Sequence, residues 1–229
     1  MIDAELRLHA TLDILAGKVA GEIGELVDST EGRDRLLAFP GGSTPAPVFA
    51  ALASKPHAWD GVTIVPGDDR LVPVDSVLSN YASIATALRA TRARVIPLAD
   101  SDQDYRAAGR AADDRLRRLP WPPELVWLGM GSDGHTASIF PGPDLETALE
   151  SNERAIGVLP DPLPREAPVA RVTLTRGAIL AAGKILVTIT GETKKSVIET
   201  ALSQGERSAF PIGRVLAGAD RPIVVHWCP

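Results

Sequence analysis

The sequence predicts an α/β fold, a doubly wound, mostly parallel sheet with helices on both faces. Two observations carry that expectation. Short continuous apolar runs, suited to strands buried on both sides, alternate along the chain with segments of helical periodicity. Four of the five runs also stop at Gly or Pro, where a buried strand must bend back toward the surface. At 229 residues the chain is long enough for one sizeable domain, and residues 1–229 are read as one.

Taken in order, Leu12, Leu15, Val19, Ile23 and Leu26 recur at spacings of three and four, which predicts an amphipathic helix over about residues 10–28. Leu36-Leu37-Ala38-Phe39 is the first strand, stopped by Pro40-Gly41-Gly42, with a helix over about 45–53. Val62-Thr63-Ile64-Val65 is the second, stopped by Pro66-Gly67. Ser79-Asn80 caps a helix reaching about Arg89, and a long polar helix covers about 102–118. Leu125–Leu128 is the third strand and Lys184–Thr190 the fourth, followed by a helix over about 193–202. Ile223-Val224-Val225-His226 closes the sheet. The proline-rich stretch 160–168 reads as a surface loop.

Composition narrows the function classes. Aromatic residues are only 4% of the chain, so the core is expected to be built from Ala, Val, Leu and Ile. A net charge of −5, with no basic stripe beyond Arg115-Leu-Arg-Arg118 at the end of a helix, argues against a nucleic-acid partner. The single cysteine, Cys228, forms no internal disulfide, and no Cys/His cluster has metal-ligand spacing. No apolar run is long enough to span a membrane, and the start Met-Ile-Asp-Ala-Glu lacks the basic region of a signal peptide. The expected location is cytoplasmic.

In a doubly wound sheet the strand-to-helix junctions share one edge, where ligands bind. The unusual residues of this chain fall at those junctions. After the first strand, Gly41-Gly42-Ser43-Thr44-Pro45 offers backbone amides and two hydroxyls to an anion at a helix start, although alone it is equally an ordinary capped turn. After the second come Asp68-Asp69-Arg70, in which Arg70 suits a phosphate or a surface ion pair. After the third, Gly129-Met130-Gly131-Ser132-Asp133-Gly134-His135 lifts a carboxylate and an imidazole to the sheet edge, where a histidine can serve as general base. After the fourth, Lys194 occupies a first helical turn, unfavourable for a cation unless an anion lies nearby. Lys195 is expected to face solvent. The joint reading is a pocket with phosphate ligands at one end and an Asp/His pair at the other.

These residues resemble the 6-phosphogluconolactonase family, within a wider group that includes glucosamine-6-phosphate deaminase. The resemblance rests on Gly41-Gly42-Ser43-Thr44-Pro45, Asp68-Asp69-Arg70-x-Val72-Pro73, Ser79-Asn80-Tyr81, the block from Gly129 to Pro141, Arg171-Val172-Thr173-Leu174-Thr175 and Gly191-Glu192-x-Lys194. Two positions depart from the family pattern. Asp69 stands where glutamate is usual, and Pro40 where serine is common. The deaminase branch typically has an aromatic residue at the position of Arg70 and a glutamate a few residues after the histidine. Here the residues after Thr136 are Ala-Ser-Ile-Phe-Pro, without an acid, which favours the lactonase.

The resemblance implies a sugar-phosphate lactone, 6-phospho-D-glucono-1,5-lactone, as the small-molecule partner. His135 would take a proton from the attacking water and return it to the ring oxygen, with either Asp133 orienting the imidazole or Asp68 holding water or hydroxyls. Ser43, Thr44, Arg70 and Lys194 would anchor the phosphate, while Arg171 is either a further anchor or a structural ion-pair partner. No metal or organic cofactor is required by that chemistry. Of the other histidines, all weaker candidates, His9 falls at a helix start, His57 in a loop and His226 in the last strand, where core packing is favoured over catalysis. Ser138 lacks a nucleophile-elbow pattern. The alternatives are an isomerase or deaminase of an amino-sugar phosphate and a non-catalytic sugar-phosphate sensor.

Overall fold

A computed structural model describes residues 2–29, 33–99 and 104–229. In chain order the elements are β1 (Glu5–Leu8), α1 (Leu12–Ser29), β2 (Arg35–Phe39), α2 (Ala46–Ala53), β3 (Val62–Pro66), β4 (Asp68–Arg70), α3 (Asn80–Ala87), β5 (Arg94–Val95) and α4 (Tyr105–Leu116). There follow β6 (Leu125–Leu128), α5 (Leu145–Glu150), β7 (Ala155–Val158), β8 (Arg171–Leu174), α6 (Arg176–Leu180), β9 (Lys184–Thr190), α7 (Glu192–Gln204), a 3-10 turn (Gly205–Arg207), α8 (Pro211–Leu216) and β10 (Ile223–Cys228). The part of the polar helix expected at 102–103 lies outside the described residues; α4 opens at Asp104, whose carboxylate accepts from the amides of Arg106 and Ala107.

Seven strands form one sheet in the order β1-β10-β9-β6-β2-β3-β5, with every pairing parallel. The predicted doubly wound sheet is therefore present, and alternation along its strands shows why their sequences read as continuous apolar runs. Leu36, Ala38, Val126, Leu128, Ile185 and Val187 point into the core that includes α4, α6 and α8. Their neighbours Leu37, Phe39, Leu125, Trp127 and Leu186 point into the opposite core, which contains Leu15, Val19, Ile23 and Val27 of α1 and Val48, Phe49 and Leu52 of α2. A strand buried on both faces has no polar side to show. The second core departs from the aliphatic expectation, because Phe39, Phe49 and Trp127 pack together with centroids 5.4–5.9 Å apart.

A second, three-stranded antiparallel sheet, β4-β8-β7, was not expected. It corrects the reading of Asp68-Asp69-Arg70 as a junction loop: after the bend at Gly67 these residues form β4, paired with β8. The winding of the main sheet reverses between β2 and β6, neighbours from which the connections diverge to β3 on one side and β9 on the other. Ligand crevices in open α/β sheets form at such a switch point.

Candidate active site

At the carboxyl ends of β2, β6 and β9 lies a cleft of about 240 Å³. Gly41, Gly42, Ser43, Thr44, Asp68, Arg70, His135, Arg171 and Lys194 all line it. Residues separated by more than 150 positions in sequence thus meet at one edge, as the junction argument anticipated. Asn80, Trp127 and Thr188 complete the wall, with the Trp127 indole donating to Thr188 Oγ1 at 3.0 Å. Asn80 comes close because residue 41 is glycine: a Cβ there would stand 1.9 Å from Asn80 Oδ1.

Asp133 does not line the cleft but touches it through His135. Its Oδ1 lies 2.6 Å from His135 Nδ1 and also accepts from the His135 amide at 3.2 Å. A proton on Nδ1 in that bond leaves the Nε2 lone pair free, the form required of a base. Burial pushes the Asp133 carboxyl upward, but the bond and charge of His135 outweigh it and hold the group below the usual carboxylate range. The turn has little freedom. A Cβ at Gly131 would come within 2.3 Å of the His135 ring, and the Gly134 carbonyl accepts from the Ile212 amide at the start of α8. Phe140 stacks on the imidazole, with centroids 4.1 Å apart.

Asp68, the alternative partner, is committed elsewhere. It accepts from Ser138 Oγ at 2.5 Å and from Asn80 Nδ2 at 3.3 Å. Asp69 does not face the cleft; it accepts from the amides of Arg70, Asn80 and Tyr81 at 2.7–3.0 Å and from Ser79 Oγ at 3.2 Å. Its shorter side chain thus ties β4 to the first turn of α3.

Three cations, Arg70, Arg171 and Lys194, line the same cleft. Arg70 donates through Nη1 to the Leu78 carbonyl at 2.7 Å, and Arg171 through Nη2 to the Ala167 carbonyl at 3.3 Å. The Nε atoms of both are buried without a hydrogen-bond partner. Arg171 is 3% exposed, and burial lowers its pKa against the attraction of Asp68. Neither arginine forms an ion pair within 4.0 Å among the described residues, which disfavours the structural ion-pair reading of Arg171. Buried donors without an acceptor suit an anionic ligand. Lys194, third residue of α7, is pushed down by burial, with Asp133 opposing the shift. Lys195 does not line the cleft; it is partly exposed, with its ammonium 4.4 Å from the Trp227 ring centroid.

The remaining histidines stand away from the cleft. His226 is fully buried, with Nδ1 2.9 Å from His9 Nε2 and Nε2 3.1 Å from Glu22. His57 pairs with Asp28. Among the described residues no group of three His, Cys, Asp or Glu side chains is arranged to hold a metal ion, and no helix is long and apolar enough to cross a membrane.

A doubly wound sheet with an Asp/His pair and a cationic cleft at its switch point is an α/β architecture suited to an anionic ligand. Residues 10–225 match the family described as glucosamine-6-phosphate isomerases/6-phosphogluconolactonase, and the chain belongs to that family. It is 40% identical to a 6-phosphogluconolactonase of Mesorhizobium japonicum over 94% of this chain and 90% of that protein. Identity to the 6-phosphogluconolactonase of Rhizobium meliloti is 33% over the full length of both. The crystal structure of a 6-phosphogluconolactonase from Shewanella baltica superposes with a TM-score of 0.88 at 32% identity, covering 99% of this chain and 98% of that one.

Proposed function

We propose that this protein hydrolyses 6-phospho-D-glucono-1,5-lactone to 6-phosphogluconate, the lactone-opening step of the oxidative pentose phosphate pathway, and that residues 1–229 act as one domain. The observation that carries the reading is the pairing, within one cleft, of His135 oriented by Asp133 with the unpartnered guanidinium donors of Arg70 and Arg171. The names of the relatives supply the substrate.

In this scheme His135 Nε2 removes a proton from water as its oxygen bonds to C1. The tetrahedral intermediate collapses with cleavage of the bond from C1 to the ring oxygen, and the imidazolium returns the proton to that oxygen. Asp133 holds the tautomer and stabilises the transient cation. Arg70, Arg171 and Lys194, with the Ser43 and Thr44 hydroxyls, anchor the phosphate and so position C1. Asp68, fixed by Ser138 and Asn80, faces the sugar hydroxyls. The scheme needs neither metal nor organic cofactor, because the lactone is already an activated ester. The side chain against His135 is Phe140, where a ring-opening deaminase would want an acid.

The test is the disappearance of freshly generated lactone, corrected for spontaneous hydrolysis, with wild type and His135→Ala. Acceleration lost in the variant is expected. No acceleration by the wild type, together with turnover of glucosamine 6-phosphate, would move the assignment to the deaminase branch. Binding without turnover of either compound would leave a sensor.

A further inference from the structure

An imidazole held by one hydrogen bond can still swing about that bond. The link from Nδ1 to Asp133 sets where one edge of His135 lies, but not the plane of the ring. A second contact fixes the plane. The Phe140 ring lies against the imidazole with centroids 4.1 Å apart and planes inclined by 25°. Phe140 is itself well anchored. It follows Ile139, which is buried in the core and bridged to Thr136, and the Arg171 guanidinium lies 5.2 Å from its ring centroid. Yet Phe140 does not line the cleft.

We infer that Phe140 is a positioning residue for the reaction: its ring sets the plane of the His135 imidazole and so the direction of the Nε2 lone pair. The inference rests on the reading of His135 as the base. Catalysis depends steeply on that direction, since a proton acceptor aimed away from the attacking water loses its effect even when its hydrogen-bonded partner is intact. The ring touches the base and stands outside the cleft, and Arg171, 5.2 Å from its centroid, keeps its own bond to the Ala167 carbonyl, so loss of the ring acts first on the chemical step.

The experiment compares Phe140→Leu, which keeps apolar bulk without a stackable ring, with Phe140→Tyr, which keeps the ring. Lactone hydrolysis gives kcat and KM, and the NMR signal of His135 Hε1, assigned by its loss in His135→Ala, reports the stack through the ring current. For Phe140→Leu we expect kcat to fall about tenfold, KM to stay within about twofold, and the Hε1 signal to move downfield. Phe140→Tyr should stay within about threefold of wild type in kcat, with the signal unmoved. Unchanged kcat in Phe140→Leu overturns the inference, as does an equal loss in both variants with the signal unmoved. Should Phe140→Leu not fold, Phe140→Met takes its place with the same expected results, and a wild-type Hε1 at the position of an unstacked histidine overturns the inference. A wild type with no lactonase activity removes the base assignment instead, while the resonance still reports the stack.

Discussion

Arg70 and Arg171 stand directly opposite each other in the antiparallel β4/β8 pair. Like charges across a strand pair repel, and neither guanidinium has a carboxylate within ion-pairing distance among the described residues to offset it. Burial sharpens the cost, and two carbonyl contacts relieve it only in part, since both Nε atoms stay without a partner. A dianionic phosphate between them would relieve both. Replacing either with methionine should weaken binding of 6-phosphogluconate about ten- to a hundredfold, the scale of a lost charge-assisted contact, while kcat changes much less. Isothermal titration of the product against wild type and both variants checks this; undiminished affinity in both would place the phosphate elsewhere.

Lys194 adds a prediction about protons. In the free protein burial lowers its pKa, only partly opposed by Asp133. A bound phosphate favours the charged ammonium and raises the pKa again. Between the two values the complex holds more protons than the free protein, so binding should be accompanied by proton uptake at alkaline pH, below the ordinary lysine value of about 10.4. Titration calorimetry in two buffers of different ionisation enthalpy measures it, and Lys194→Met should abolish the uptake. Equal heats in both buffers for the wild type would mean that Lys194 does not meet the phosphate.

Away from the cleft, Glu22 of α1 gathers Arg7, Lys184 and His226 around one carboxylate, with Lys184 Nζ at 2.7 Å and His226 Nε2 at 3.1 Å. Burial alone would raise Glu22, but these partners outweigh it and hold its pKa at about 2, against an ordinary 4.5. A depressed carboxylate pKa stabilises the fold above the unfolded value, and that stability is lost as pH falls through the folded one. The window therefore runs from 4.5 down to about 2. His9, lowered by burial below its ordinary 6.5, weakens the fold in the same direction once pH drops beneath that value. Glu22→Gln should cost about 2 kcal/mol near neutral pH, and the difference from wild type should vanish by about pH 2. Denaturant unfolding at several pH values tests it, and a cost independent of pH would show that packing, not charge, holds this cluster.

Much of this architecture was legible because doubly buried strands such as 125–128 have to be apolar throughout and have to stop where the chain leaves the sheet. The Ser79 cap was visible for a similar reason, its hydroxyl accepting from the Ala82 amide at 3.1 Å. What escaped was short or partly exposed. β1 is an edge strand of four residues, exposed at both ends and only partly buried between them, and β5 has only two. The second sheet was hidden because β4 consists of Asp, Asp and Arg, residues that look like a loop until β8 is brought beside them. Pairing between segments about a hundred residues apart leaves no local trace.

At the site, residue types and spacing identified the members but not their partners. Asp133 and Asp68 were equivalent candidates for assisting His135, and only geometry distinguishes a carboxylate 2.6 Å from the imidazole from one bonded to Ser138 and Asn80. Asp69, one methylene shorter than the family's usual glutamate, is explained by its amide contacts at the start of α3. Phe140 carried no signal as a single aromatic residue. The clue lies in its place five positions after His135, on the far side of a turn that folds back on itself.

The division of labour between the two aspartates gives the last prediction. Asp133→Asn keeps the shape of the side chain but removes the charge that fixes the Nδ1 proton and stabilises the imidazolium. It should lower kcat by about a hundredfold or more and leave KM within a few-fold of wild type. Asp68→Asn keeps His135 and Asp133 untouched, so its main effect should fall on KM through the sugar hydroxyls, with Asn80 still able to donate to the amide oxygen and the Ser138 hydroxyl turned to accept from the amide nitrogen. Measuring both constants for both variants separates the roles. The reverse pattern, kcat lost in Asp68→Asn and retained in Asp133→Asn, would mean that the carboxylate bonded to the imidazole only holds the turn, and that water is activated from the Asp68 side of the cleft.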